Sequence, residues 1–350
     1  MLAAVLTEWL EERETIQATP VSPIKVTHRR RVHRLLLKRE SFNPTGSVKD
    51  RTAAGLVRAL DAVEPLRPGT VVVESTSGNL GLALARRLAP TGCRLIAVVD
   101  IKTPQPTRNL LQRAGVELRV VTEPDGNGGY LLTRLKTVRQ LCRSNPSYRW
   151  TDQYRNRANP AIHEQTTGPE IIRQGGPELD AVYVAVSTGG TLAGISAAIR
   201  PLGRPIQLTA VDALRSLATP RSPAPAPSGP RSRLIPGIGA SLPSSFLHPG
   251  AFDRAVAAAD AEAIAVGRIF RADTGISVGG SSACVLSACL TDLDGPAPPA
   301  LPLCLAADDG EKYESTIYDD GWLQDAGVLD DVKLTAERLR CGGLTFARED

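Results

Sequence analysis

Residues 70–90 read TVVVESTSGNLGLALARRLAP. Three successive valines make a strand-length apolar run, which enters the Gly-containing turn STSGN without a spacer. Beyond the turn, leucines and alanines continue as a helix that a proline closes. The same rhythm recurs along the chain. RLIAVVD (94–100) is a strand, PTRNLLQRAG (106–115) a helix ended by Gly115, and VELRVVT (116–122) a strand. After a long segment at 130–142 come DAVYVAVSTGG (180–190), a helix from about Leu192, and the strand IQLTAVDA (206–213). Strand, turn and helix in repetition predict an α/β fold, with mostly parallel sheets flanked by helices.

The chain has 350 residues, enough for two domains or one large α/β unit. Hydrophobic residues are 42% and charged residues 22%, the balance of an ordinary globular protein. A net charge of +4 is small for this length, and Lys and Arg are scattered, so nothing favours a nucleic-acid partner. The basic run RRRVHR (29–34) reads as a solvated edge. Apolar runs are strand-length, too short to cross a bilayer, so no membrane is expected. The opening MLAAVLTEWLEERETIQATP lacks a basic first region and reads as a short amphipathic helix, not a signal peptide. Cysteines 93, 142, 284, 289, 304 and 341 form no CxxC and no pairing with His; reduced thiols, no metal site and a cytoplasmic setting are expected. TPRSPAPAPSGPRSR (219–233) reads as a flexible surface loop, and the charged residues from about 330, ending RCGGLTFARED, as a loosely held tail.

Three Ser/Thr/Gly-rich turns adjoin helices, where free backbone N–H groups bind anions. STSGN (75–79) offers hydroxyls, amides and Asn79 to a carboxylate. STGGT (187–191) has two glycines that let the backbone approach a phosphate, without matching a dinucleotide or triphosphate motif. GGSSACV (279–285) is a third turn entering a helix. Each alone is explained as well by a capped helix start. NPTGSVKDRTA (43–53) adds a lone lysine, Lys49, at the start of an amphipathic helix. A carboxylate grip, a phosphate cradle, a serine turn and such a lysine are together the parts that pyridoxal 5'-phosphate (PLP) chemistry requires.

Those stretches, with DQYRNRANPAIHEQTTGPEI (152–171) and IPGIGAS (235–241), resemble in order the motifs of the cysteine synthase group of fold-type II PLP enzymes. The resemblance runs from about residue 19 to 316, nearly the whole chain. It implies Lys49 as the Schiff-base lysine and general base, and Asn79 beside the cofactor's 3-hydroxyl. It implies Ser187, Thr188, Gly189, Gly190 and Thr191 as the phosphate loop, and Ser281 opposite the pyridine nitrogen. Thr76, Ser77, Gly78 and Gln153 would surround the substrate carboxylate. A neutral hydroxyl at the ring nitrogen favours β-elimination over transamination. The resemblance further implies a homodimer acting on small-molecule amino acids. It also implies a division into 1–44 and 151–330 as the large PLP domain, 45–150 as a small mobile domain, and 331–350 as a C-terminal tail.

Four departures separate the chain from a plain cysteine synthase: Ser187 for the usual first glycine of the phosphate loop, Tyr154 after Gln153, Leu80 closing the substrate turn, and Arg134 on the segment after the third strand. Two extra hydroxyls and a guanidinium suit a dianion, which points to O-phospho-L-serine. In these details the chain is similar to the branch serving 2,3-diaminopropionate biosynthesis for siderophores and peptide antibiotics, whose second substrate is L-glutamate. The expected reaction is then β-replacement through an α-aminoacrylate, with Arg231 and Arg233 as candidate partners for glutamate. The alternative is a cysteine synthase using sulfide with O-acetyl- or O-phospho-L-serine.

Overall fold

The computed structural model describes residues 16–127, 129–220 and 233–349. The helix expected near the N-terminus, Arg231 and most of the proline-rich segment lie outside the described residues.

Two sheets organise the chain, ordered β11-β1-β2-β10-β7-β8-β9 and β5-β4-β3-β6. In the four-stranded sheet, β3 (Val71–Ser75), β4 (Arg94–Asp100), β5 (Glu117–Val121) and β6 (Arg149–Trp150) run parallel. Helices α1 (Lys49–Val63), α2 (Asn79–Leu88), α3 (Gln105–Arg113) and α4 (Leu131–Ser144) accompany it. All five residues of β3 are buried, which is why its valines need no polar alternation. Val72 packs with Leu56, Leu80 and Leu84 of α1 and α2; Val71 and Val73 pack with Val138 of α4.

The seven-stranded sheet is parallel through β7 (Ala181–Ala185), β8 (Gln207–Ala213), β9 (Arg254–Ala258) and β10 (Pro302–Ala306). Its core divides by face. Tyr183 packs with residues of α8 (Asp260–Thr274) and α9 (Gly280–Leu293). Val182 and Val184 pack with Ile171 of α6 (Thr167–Gly175) and Ile195 of α7 (Gly190–Ile199), and α5 (Ala158–Gln165) packs on α7.

An antiparallel hairpin, β1 (Val21–His28) and β2 (Arg31–Arg39), extends this sheet. Arg29 and Arg30 form its turn with φ of 49° and 63°, positive values usually signalled by Asn or Gly. The basic run thus supplies a hairpin turn with exposed side chains.

The C-terminal segment departs from its expectation. After α10 (Asp320–Asp325), α11 (Leu329–Cys341) buries Leu329, Val332 and Leu339, and β11 (Thr345–Arg348) pairs with β1. Phe346 is buried edge-on to Phe270, ring centroids 5.1 Å apart. The segment is an integral edge of the large sheet, because its apolar residues recur at helix and strand spacing among the charges. All six cysteines are free, and among the described residues no cluster could hold a metal and no helix is long and apolar enough to cross a membrane.

Candidate active site

Lys49 begins α1 and lines a small pocket with Ser187, Thr188, Gly189, Thr191 and Ser281. Three helix N-termini, of α1, α7 and α9, therefore converge on one place, and the positive ends of their dipoles make it anion-attracting. The lysine's stem is half-buried on the pocket wall, while its amine is ringed by protein. Burial lowers its pKa from 10.5 to about 8, against the charge of Asp308, which raises it. A helix N-terminus also disfavours a cation, so the position suits a neutral, nucleophilic amine.

The loop 187–191 is shaped by close neighbours. A Cβ on Gly189, whose φ is +85°, would lie 2.2 Å from Ser244 Oγ; one on Gly190 would lie 2.3 Å from Asn159 Oδ1. Ser244 Oγ donates to Thr188 O at 2.6 Å, and Asn159 Nδ2 donates to Gln153 O at 2.8 Å. Behind the loop, His163 Nε2 lies 3.3 Å from Thr191 Oγ1 and 3.2 Å from Thr52 Oγ1. Burial, reinforced by Lys49 and Arg51, holds this imidazole well below its usual pKa, so it is neutral. Ser282 Oγ donates to Asp308 O at 3.3 Å and accepts from Ala307 N, which leaves its neighbour Ser281 to face the pocket.

The turn 75–79 is only partly arranged as expected. Thr76 Oγ1 accepts from Gly78 N and Gly81 N, two internal bonds that steady the entry to α2. Gln153 is buried and donates from Nε2 to Ser75 O at 2.6 Å. Ser77 is exposed at the mouth, and Leu80 is buried in the core behind the turn. Asn79 does not line the lysine's pocket. Its Nδ2 donates to Asp308 Oδ2 at 2.7 Å, and its Oδ1 accepts from Lys312 Nζ at 2.9 Å.

Two buried carboxylates join this arrangement. Asp308 Oδ2 also accepts from Tyr313 Oη at 2.6 Å, while its Oδ1 has no partner among the described residues. Lys312 further donates to Thr45 O and Gly46 O, so the segment 308–313 clamps the lysine's loop to the start of α2. Glu74 accepts from Thr151 Oγ1 and from Gln153 N at 3.0 Å, and burial pushes its pKa up to about 7.

Beside the lysine's pocket lies a cleft of about 110 Å³ that brings Arg134, Tyr154, Ser187 and Ser77 together. Arg134 is a buried residue of α4, not a solvated one; its Nε is 3.3 Å from Asp100 Oδ2, and its Nη1 has no partner among the described residues. Burial raises the Tyr154 hydroxyl's pKa, while Arg134 and a hydrogen bond with Ser187 pull it down. Ser187 Oγ donates to Gly239 O at 3.2 Å.

The family described as pyridoxal-phosphate dependent enzyme matches residues 13–300. The chain belongs to this family. It is 35% identical over 310 residues to N-(2-amino-2-carboxyethyl)-L-glutamate synthase of Ralstonia nicotianae, covering 89% of this chain and 90% of that protein. The synthase of the same name from Cupriavidus metallidurans is 35% identical over 313 residues, at the same coverage. Among solved structures, O-ureido-L-serine synthase is similar at a TM-score of 0.75 and 28% identity, over 89% of this chain and 98% of that one. A hydrogen sulfide-producing enzyme of Fusobacterium nucleatum shares the fold, with a TM-score of 0.78 at 23% identity over 99% and 98% of the two chains.

The residues fit the cofactor of the PLP-dependent enzymes. A loop whose glycines leave no space for a Cβ provides backbone donors for a phosphate, and a hydroxyl at Ser281 sits on the same pocket. Lys49 supplies an amine of lowered pKa. Pyridoxal phosphate, when bound, supplies an electron sink for a carbanion at the substrate's α-carbon.

Of the residues gathered at this pocket, the sequence motifs pointed to Lys49, the loop 187–191 and Ser281. They did not lead to Asp308, Glu74 or His163. Asp308 and Asp309 follow β10 as an acidic pair, which without the fold reads as a solvated turn.

Proposed function

We propose that the protein catalyses β-replacement on O-phospho-L-serine with L-glutamate as nucleophile, forming N-(2-amino-2-carboxyethyl)-L-glutamate. The observation that carries this reading is the buried guanidinium of Arg134, set with the Tyr154 and Ser187 hydroxyls beside the lysine's pocket. A guanidinium and two hydroxyls suit a phosphate leaving group better than a neutral acetyl ester.

In this reading Lys49 holds the cofactor through its amine. Once released, it takes the proton from the substrate's α-carbon and returns it after the nucleophile has added. The loop 187–191 holds the cofactor phosphate, and Ser281 faces the ring nitrogen as a neutral partner. Thr76, Ser77, Gly78 and Gln153 receive the substrate carboxylate, and Asn79 lies on the 3-hydroxyl side, oriented by Asp308 and Lys312. Arg134, Tyr154 and Ser187 take the phosphate as it leaves. The turn 75–79 rides on the small sheet and the phosphate loop on the large one. Closure of residues 45–150 over residues 151–330 would then exclude water during the reaction. The six free cysteines suit a reducing, cytoplasmic setting, and the motif resemblance supports a homodimer and a place in 2,3-diaminopropionate biosynthesis for a siderophore or antibiotic.

The test is product identification by mass spectrometry, with O-phospho-L-serine and either L-glutamate or sulfide supplied. The glutamate adduct is expected as the main product. Cysteine formed in large excess at matched concentrations would establish the sulfide-using alternative instead.

A further inference from the structure

The cleft carries more positive charge than Arg134 alone provides. Lys102 and Arg233 line it as well, with Asp100 as the carboxylate in the lining. Arg233 is half-buried; its Nη1 donates to Ala240 O and its Nη2 to Ser241 Oγ, both at 3.2 Å. Lys102 Nζ donates to Arg233 O at 3.2 Å, which places its ammonium beside that guanidinium's residue. The wall that bears Arg233 is tied to the phosphate loop, because Gly239 N donates to Val186 O at 2.7 Å and Gly239 O accepts from Ser187 Oγ.

Burial lowers the pKa of both cations; Arg233 lowers that of Lys102 further, and carboxylates nearby support each of them. Asp100 and Asp260 face Lys102; Asp125, Asp212 and Asp260 face Arg233. Arg233 is held by these bonds and carboxylates, and Lys102 is exposed, so both cations stand at the cleft within reach of an anion that enters it.

The chemistry of the two half-reactions supplies that anion twice. A departing phosphate carries up to two negative charges. Glutamate must attack as the free amine, and in that form its two carboxylates also carry two. The two groups meet the β-carbon in turn, since the C–O bond to phosphate breaks before the C–N bond forms. We propose that Arg233 and Lys102, with Arg134, form a dicarboxylate subsite that receives the amino-acid nucleophile after phosphate has left. This inference rests on the β-replacement reading above and names the residues that would select its second substrate.

Glutarate, a dicarboxylate without an amine, probes the subsite directly. Calorimetric titration into holoenzyme should show binding that inorganic phosphate competes away. Arg233→Gln and Lys102→Gln should each weaken glutarate, and raise the KM for glutamate, on the order of tenfold or more, the scale of a truncated charged contact. Normal cofactor absorbance in both variants would show that they fold. Unchanged glutarate affinity and glutamate KM in both variants, with the glutamate adduct still formed, would overturn the subsite while leaving the reaction intact. Glutarate binding that depends on both cations, without any glutamate adduct, would uphold the subsite and overturn the reaction. If wild-type enzyme neither binds glutarate nor forms the adduct, both are overturned.

Discussion

At the residue scale, the proposed chemistry turns on the proton affinity of Lys49. Because its pKa is lowered to about 8, the neutral amine is populated above that pH instead of only near 10.5. Cofactor-free protein should therefore take up pyridoxal phosphate at a rate that rises through about pH 8, followed by absorbance; a rise confined to the region of 10.5 would contradict the burial argument. Asp308 raises that pKa, so Asp308→Asn should shift the loading profile to lower pH, and an unmoved profile would show the two groups to be uncoupled. Arg134→Ala should cost roughly 2–4 kcal/mol of kcat/KM on O-phospho-L-serine and much less on O-acetyl-L-serine. Equal losses on the two esters would mean that Arg134 does not contact the leaving group. Lys49 was legible in the sequence because three Ser/Thr/Gly-rich turns follow it in the motif order. Asp308 and Glu74 were not, since a buried carboxylate is recognised by the donors around it, and those come from residues as distant as Asn79 and Thr151.

At the element scale, the strand–turn–helix units were readable because β3, β4, β7 and β8 are buried on both faces and so carry unbroken apolar runs. The β1–β2 hairpin was hidden by a turn made from two arginines in place of Asn-Gly. β11 was hidden by its short length and by charged neighbours on an edge strand. Phe346→Ala should destabilise the protein by about 3–5 kcal/mol in denaturant unfolding, as for a core aromatic. A loss near zero would fit a loosely held tail. In the phosphate loop, Gly189→Ala would force a side chain into a positive-φ position and onto Ser244 Oγ. Weaker retention of pyridoxal phosphate on dialysis is expected, and retention equal to wild type would show that the loop does not hold the cofactor.

At the scale of the whole molecule, a buried ion cluster joins the large sheet to the lysine's helix. Arg51, two positions beyond Lys49, reaches Glu40 Oε2 at 2.7 Å and Glu170 Oε1 at 2.6 Å, and Lys38 Nζ reaches Glu170 Oε2 at 2.6 Å. Burial pushes the Glu170 carboxyl's pKa up, but hydrogen bonds and charge from Arg51 and Lys38 bring it below its ordinary value. A depressed carboxylate pKa stabilises the fold above the ordinary value, and that contribution is lost as pH falls through the folded one. Stability should accordingly decline in acid. Arg51→Ala, which strands two carboxylates, should cost about 3–5 kcal/mol in unfolding. The same cluster anchors the end of α1 at which Lys49 meets the loop 187–191.

The central claim is that this lysine and this cleft exchange a phosphate for glutamate on one carbon skeleton. The most direct measurement supplies holoenzyme with O-phospho-L-serine and nitrogen-15-labelled L-glutamate, then compares phosphate released with labelled adduct formed. One labelled N-(2-amino-2-carboxyethyl)-L-glutamate for each phosphate is the predicted result. Phosphate release without label in any amino-acid product would contradict it.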